Sequence, residues 1–157
     1  MVSDLSVVAL EAAEVPQALP LIRLARPDMT LARWRRQVRQ YMGANRRSGG
    51  ILVVKGVRGY LQGILTYRIE ALSGGTRLTV DDFVVGGLVD RSATAVVMLG
   101  ALDDLAATHG CASVHTTIAD SAHVLDLDGK VLRPFRDRGH RLAGCRLTKT
   151  LPKALAR

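Results

Sequence analysis

The alternation of hydrophobic and polar positions is most informative between residues 79 and 110. Val80, Phe83, Val84 and Val85 are the β-branched and aromatic residues of a buried strand. Gly86-Gly87 ends that run, and Ser92 is placed to cap a helix. Val96, Leu99, Leu102 and Ala106 then recur at helical spacing, with Val97 and Leu105 widening the stripe. Gly110 stands where a helix C-terminus turns left-handed. A strand that feeds a long helix through a short loop leaves several backbone N–H groups unpaired, and such a place suits an anion, above all a phosphate.

The remaining pattern surrounds this unit with further strands and helices. Residues 6–10 alternate weakly, as an edge strand does. Residues 14–25 carry Val15, Leu19, Leu21, Ile22 and Leu24 at roughly helical intervals. Pro16 is tolerated near that helix's start, whereas Pro20 predicts a kink or a later start. Thr30 caps a second helix that runs to about Gly43, with Leu31, Trp34, Val38, Tyr41 and Met42 on one side. Arg33, Arg35, Arg36 and Arg39 fill the rest and read as a solvated face, with Trp34 and Tyr41 as core anchors. After the turn-rich GANRRSGG at 43–50, residues 51–54 and 60–69 read as an antiparallel hairpin, with a turn at 56–59. Ser73-Gly74-Gly75 turns the chain into a strand over 77–85. Residues 112–118 alternate as a fifth strand, which a right-handed crossover would lay parallel to the fourth. Residues 120–130 are polar with a turn at Asp128-Gly129, 131–138 suit a short helix, and 141–151 a last strand.

Val80-Asp81-Asp82-Phe83-Val84-Val85 resembles the fourth strand of the GNAT superfamily of N-acetyltransferases, roughly I-E-D-V-V-V. In that family a loop of the form R/Q-x-x-G-x-G/A follows at the start of a long helix. Spacing lays it on Asp90-Arg91-Ser92-Ala93-Thr94-Ala95, where Asp90 replaces Arg/Gln, Ala93 replaces the first glycine, and Ala95 is a permitted substitute. Gly63 is similar to a glycine of the family's third strand; read from the residues alone, it marks a bulge or a close packing point. Residues 132–140, LRPFRDRGH, resemble the late motif A-x-x-L-Y-x-x-x-G-F, with Phe135 at the tyrosine and His140 at the phenylalanine. The resemblance covers nearly the whole chain. It implies an α/β (α+β) GNAT fold, a central mixed, mostly antiparallel sheet of about six to seven strands flanked by helices. The fourth and fifth strands would splay apart to admit the pantetheine arm of acetyl-CoA, the acyl donor. The first two helices would help form the cleft for the acceptor, an amine of a small molecule or peptide. A homodimer is implied as well, since family members are often dimers.

Composition narrows this modestly. At 157 residues the chain reads as one domain, 1–157, with a sizeable core, and 48% of it is apolar. No apolar run is long enough to cross a bilayer, and the first ten residues lack a signal-like pattern, so a cytoplasmic protein without a membrane partner is expected. Cys111 and Cys145 form neither a CxxC motif nor a disulfide framework and read as buried thiols. Twenty-two Lys and Arg against 14 Asp and Glu give a formal charge of +8. That charge would serve a nucleic-acid-binding module, but no zinc finger, basic zipper or aromatic-basic RNA signature accompanies it, and a solvated basic surface is the simpler reading.

Acetyl transfer requires an amine that loses its proton, a polarised thioester and a thiolate that leaves with a proton. The resemblance makes Asp81 and Asp82 the candidate bases. Strict alternation puts them on opposite faces, Asp82 with Val80 and Val84, Asp81 with Phe83 and Val85. An alternative is that the pair merely binds a neighbouring arginine. Backbone groups of Phe83, Val84 and Val85 would hold pantetheine, and Asp90, Arg91, Ser92, Ala93, Thr94 and Ala95 the pyrophosphate. Phe135 has no proton to give, which leaves Tyr60, Tyr67 or His140 as substitutes. His115 and His123 could act as acid or base near neutral pH but read as structural, and no histidine spacing suggests a metal. Ala93 adds a methyl group, and Asp90 a negative charge, where a dianion would sit. Coenzyme A binding is therefore expected to be weak or lost, and a catalytically degenerate GNAT-fold protein that binds a ligand or partner is the alternative.

Overall fold

The computed structural model describes residues 4–42, 48–86, 90–118, 130–143 and 146–152. Gly87, residues 43–47 of the GANRRSGG loop, the Asp128-Gly129 turn, His123 and Cys145 lie outside the described residues.

Strand β1 (Ser6–Ala9) leads through a single 3-10 turn (Ala12–Glu14) into helices α1 (Val15–Ala25) and α2 (Leu31–Met42). Three strands follow, β2 (Gly49–Lys55), β3 (Leu61–Leu72) and β4 (Gly75–Val85), and then the long helix α3 (Arg91–Thr108). The chain closes with β5 (Ser113–Thr117), a short helix α4 (Leu132–Asp137), β6 (Arg141–Ala143) and β7 (Arg146–Thr150). One seven-stranded sheet takes them in the order β1-β2-β3-β4-β5-β7-β6, antiparallel except where β4 and β5 run parallel. Residues 141–151 therefore hold two strands that pair antiparallel, Arg141 with Thr148 and Ala143 with Arg146, and not the single strand expected.

Helices cover both faces of this sheet. α1 and α2 lie over Ile51, Val53, Ile64 and Val84, while α3 and α4 lie over Leu65, Leu78, Val80, Phe83 and Val85. Trp34 is fully buried, and its indole N–H donates to the Val15 carbonyl at 2.8 Å, which joins α2 to α1. Pro20 neither ends α1 nor delays it; Val15, Ala18, Leu19, Leu21 and Ile22 are all buried, and packing outweighs one missing backbone donor. Thr30 caps α2 as expected, its hydroxyl accepting from the Arg33 amide at 3.2 Å.

On α3 the buried stripe is Ala95, Met98, Leu99, Leu102 and Ala106, and Val96 points outward at 40% exposed. The stripe thus begins one residue earlier than hydrophobicity alone suggested, because small Ala95 can approach the sheet closely. Gly63 is the packing point on the strand side. A Cβ there would come within 2.8 Å of the Met98 sulfur and 3.1 Å of Thr94 Cγ2. Gly110 ends the helix at φ +62, the left-handed conformation expected.

Candidate active site

The site begins with an irregularity in β4. Thr66 of β3 pairs with Asp82, but the next residue, Tyr67, pairs with Val80, so Asp81 is an extra residue bulged out of the ladder. A bulge resets the alternation of faces. Before it, Leu78 and Val80 point to the α3 side; after it, Phe83 and Val85 do so, and Val84 points to the α1–α2 side. Asp81 and Asp82 both end up facing α2, where their partners Tyr41 and Gln37 stand one helical turn apart. Strict alternation, which separated the two carboxylates and grouped Asp82 with Val80, is corrected by this one inserted residue.

The paired carboxylates are differently housed. Asp82 is 4% exposed and fully engaged. Its carboxylate accepts from the Thr66 hydroxyl at 2.7 Å and Gln37 Nε2 at 3.3 Å, and Arg26 Nη2 lies 2.8 Å from its other oxygen. Asp81 is partly open. Arg68 grips it through Nε and Nη2 at 2.8 and 2.9 Å, and the Tyr41 hydroxyl donates to it as well. Burial alone would raise the Asp81 carboxyl, but hydrogen bonds from Arg68 and Tyr41, with the charges of Arg68 and Arg26, hold it below the ordinary carboxylate value. Burial and the Asp81 carboxylate push the Tyr41 hydroxyl the other way, well above its usual range. Tyr41 is therefore more than a core anchor.

Asp81, Arg68 and Arg26 line a cavity of about 790 Å³ together with Arg33, Arg36, Gln37, Gln40 and Tyr41 of α2, and Thr117 at the end of β5 also lines it. Two of the arginines taken as a solvated face, Arg33 and Arg36, thus look into a cavity. Arg68 and Glu70 come from β3 and are ion-paired at 2.8 Å.

Thr117 marks a fork in the sheet. β4 and β5 pair from Arg77↔Ser113 to Val80↔Thr116, and no further. The last five residues of β4, from Asp81 to Val85, keep β3 on one edge, and no described strand pairs with the other. The cavity and the fork meet at Asp81 and Thr117.

Past the fork lies the N-terminus of α3, where the cap is Asp90 and not Ser92. Asp90 takes φ 51, a left-handed conformation that aspartate tolerates better than most residues. Its carboxylate folds over the helix end and accepts from the Ala93 amide at 3.1 Å. A negative charge thus occupies part of the anion-binding end. The Thr94 amide is committed to the Asp90 carbonyl at 3.2 Å, and the side chains of Thr94 and Ala95 are fully buried. The amides of Arg91 and Ser92 have no partner among the described residues.

The remaining candidates are dispersed. Phe135 is fully buried, with its ring edge-on to Phe83 at 4.7 Å and to His140 at 5.1 Å. His140 is 4% exposed; burial, then the charge of Lys149, lowers its pKa to about 4, so it is a neutral core residue. Tyr60 is 72% exposed next to the β2–β3 turn, and burial raises the Tyr67 hydroxyl on the α3 side. His115 borders a separate cavity of about 260 Å³ near the start of β5. Cys111 is buried, which raises its thiol. Among the described residues no cluster could hold a metal, and no helix is long and apolar enough to cross a membrane.

The sequence matches no family model and no curated protein. Solved structures do resemble the chain in shape. Spermidine N-acetyltransferase from Vibrio cholerae, solved with CoA and spermine, superimposes with a TM-score of 0.71 at 13% identity, over 98% of both chains. A phosphinothricin acetyltransferase of the GNAT superfamily from Sinorhizobium meliloti, solved with AcCoA, gives 0.72 at 12% identity, over 98% of this chain and 99% of that one. A GCN5-related N-acetyltransferase from Kribbella flavida gives 0.71 at 15%, over 94% and 98%. At such identities the likeness speaks for architecture alone. The mixed seven-stranded sheet, forked between its parallel fourth and fifth strands, is the fold of the GNAT superfamily of N-acetyltransferases.

Proposed function

We propose that this protein is an N-acetyltransferase that moves the acyl group of acetyl-CoA to the amine of a small molecule or peptide. The observation that carries the reading is the fork. Beyond Val80 no described strand pairs with one edge of β4, and Asp81, the first residue of that stretch, lines a cavity large enough for a small acceptor. Unpaired peptide groups along a strand edge suit the amides of a pantetheine arm, which would lie along Phe83, Val84 and Val85. The pyrophosphate would rest at the start of α3, on the amides of Arg91 and Ser92 within the segment Asp90 to Ala95. That neighbours of this fold were solved with CoA or AcCoA supports the same donor here.

In this reading Asp81 faces the acceptor. Held ionised by Arg68 and Tyr41, it attracts and orients an ammonium group. A carboxylate with so low a pKa is a poor store for a proton, so the amine releases its proton to water in the open cavity. The free amine attacks the thioester carbon, the C–N bond forms and the C–S bond breaks, the nitrogen gives up its second proton to water, and the thiolate leaves as coenzyme A. Phe135 offers that thiolate no proton, which water must supply. Asp82, buried beneath, fixes Arg26 and Gln37 and shapes the wall.

A second reading has an observation of its own. The Asp90 carboxylate occupies the Ala93 amide and repels a dianion, which favours a protein that has kept the fold and lost the donor. Calorimetric titration with acetyl-CoA decides between them. Saturable binding by the wild type, with thiol release in the presence of an amine, is expected. Binding only by Asp90→Gly would favour the degenerate reading, and binding by neither would sink the first.

A further inference from the structure

The cavity beside the fork has an excess of positive charge that its own carboxylates do not absorb. Four arginines line it, Arg26, Arg33, Arg36 and Arg68, against Glu70 and Asp81. Two of the four are committed: Arg68 to Asp81 and Glu70, and Arg26 to Asp82 and Gln37. The other two are not. Arg33 makes one long contact, from Nη1 to the Asp28 carbonyl at 3.4 Å, and Arg36 has no partner among the described residues. They stand three positions apart on α2, side by side on the face that carries Gln37 and Gln40 into the cavity. Guanidinium groups so placed offer two forks of N–H donors to one planar or tetrahedral anion.

The carboxylates come from the strand side, Asp81 of β4 and Glu70 of β3, with Arg68 paired to both, so that side carries one net negative charge. The site is thus polarised: an anion belongs against α2, and an ammonium group against β4, next to where the thioester would arrive. A polycation meets the wrong sign over half of this surface.

Resting on the proposed acetyl transfer, we infer that the acceptor is a small zwitterionic amine, with a carboxylate or phosphate held by Arg33 and Arg36 and its amine directed to Asp81. Spermine, which is bound in the Vibrio cholerae neighbour, would be a poor ligand here.

The test measures binding first and turnover second. Glucosamine 6-phosphate and L-glutamate are titrated into the full chain by calorimetry, each against a counterpart without the anion, glucosamine and a simple alkylamine, and against spermine. The anionic amines are expected to bind at least tenfold more tightly than their counterparts and than spermine, and the better of the two identifies phosphate or carboxylate as the group recognised. Arg33→Gln and Arg36→Gln should each weaken that binding roughly tenfold, since each removes a charge-assisted hydrogen-bonding group. Arg35→Gln, on the same exposed helix but away from the cavity, should leave it unchanged. In the acetylation assay the two active substitutions should raise KM for the anionic amine and leave acetyl-CoA affinity intact. Tight binding of spermine, indifference to Arg33→Gln and Arg36→Gln, or binding of an oligonucleotide through the same arginines would each overturn the inference. If anionic amines bind through Arg33 and Arg36 while acetyl-CoA does not bind at all, the acetyl-transfer reading fails and the recognition of the ligand stands.

Discussion

The two sides of the sheet handle charge in opposite ways. On the α1–α2 side, polar groups are buried beside an open cavity and saturated with partners: Asp82 with Arg26, Thr66 and Gln37, Asp81 with Arg68 and Tyr41. On the α3–α4 side the interior is mostly apolar, and His140, deeply buried there, stays neutral against Phe135 with Nδ1 unpaired. The first side is built to hold charge in place near solvent, and the second to exclude it.

Removing a charge from the first side should cost most. Asp82→Ala leaves the Thr66 hydroxyl, itself fully buried, without its acceptor, and strips Arg26 and Gln37 of theirs. Arg26 is partly exposed and its charge is screened, so the loss, set mainly by the buried Thr66 hydroxyl left unpaired, is expected to be about 1–3 kcal/mol, read from urea unfolding. Asp81→Ala should cost under about 1 kcal/mol, because its partner Arg68 is half-exposed and solvent screens the pair. Equal costs for the two substitutions would erase the distinction between the buried and the open carboxylate.

Acidification should separate the two sides by pH. His140 titrates near 6.5 when unfolded and near 4 in the fold, so below pH 6.5 the unfolded chain binds the extra proton. Stability therefore falls as the pH drops from 6.5 towards 4, by roughly 2–3 kcal/mol in all. Asp81 behaves otherwise: its folded pKa lies below 3.8, so its contribution is complete above that value and is lost only as the pH falls further, through the folded pKa. His140→Phe keeps a ring against Phe135 and removes the titration, and should flatten the first loss alone. A flat stability profile in the wild type between pH 6.5 and 4 would contradict a neutral, buried His140.

How much of this could be read from the chain depends on the range of the interactions. The strand–helix–strand unit, the hairpin of residues 51–69 and the Thr30 cap follow from local spacing, and these formed as expected. The Asp81–Asp82 pair was visible, but its orientation was not, because one inserted residue reverses the faces without changing the composition of the strand. Its partners were partly legible. Counting back from the Ser73-Gly74 turn sets Arg68 opposite Thr79, close to Asp81, and Arg33, Arg36, Gln37, Gln40 and Tyr41 share a helical face. That this face meets a cavity depends on how α2 lies against β4, a long-range contact no window of sequence contains.

The smallest effect tests the helix ends, where the two sides differ again. Thr30 caps α2 with a neutral hydroxyl, and Asp90 caps α3 with a charge in a left-handed conformation. Thr30→Ala should cost about 1 kcal/mol, the usual loss of a cap. Asp90→Gly loses the same kind of hydrogen bond but relieves a conformation that glycine adopts freely, so its stability should change by only a few tenths of a kcal/mol. The two substitutions should then diverge in binding. Thr30→Ala leaves acetyl-CoA affinity unchanged, whereas Asp90→Gly frees the Ala93 amide, removes a repelling charge, and should tighten acetyl-CoA roughly five- to tenfold, as an anion at a helix N-terminus gains about 1 kcal/mol. If Asp90→Gly instead weakens acetyl-CoA, the Asp90 cap is part of the donor site and shapes the loop that the pyrophosphate needs. An eroded N-terminus and a preorganised one thus give opposite signs in a single titration.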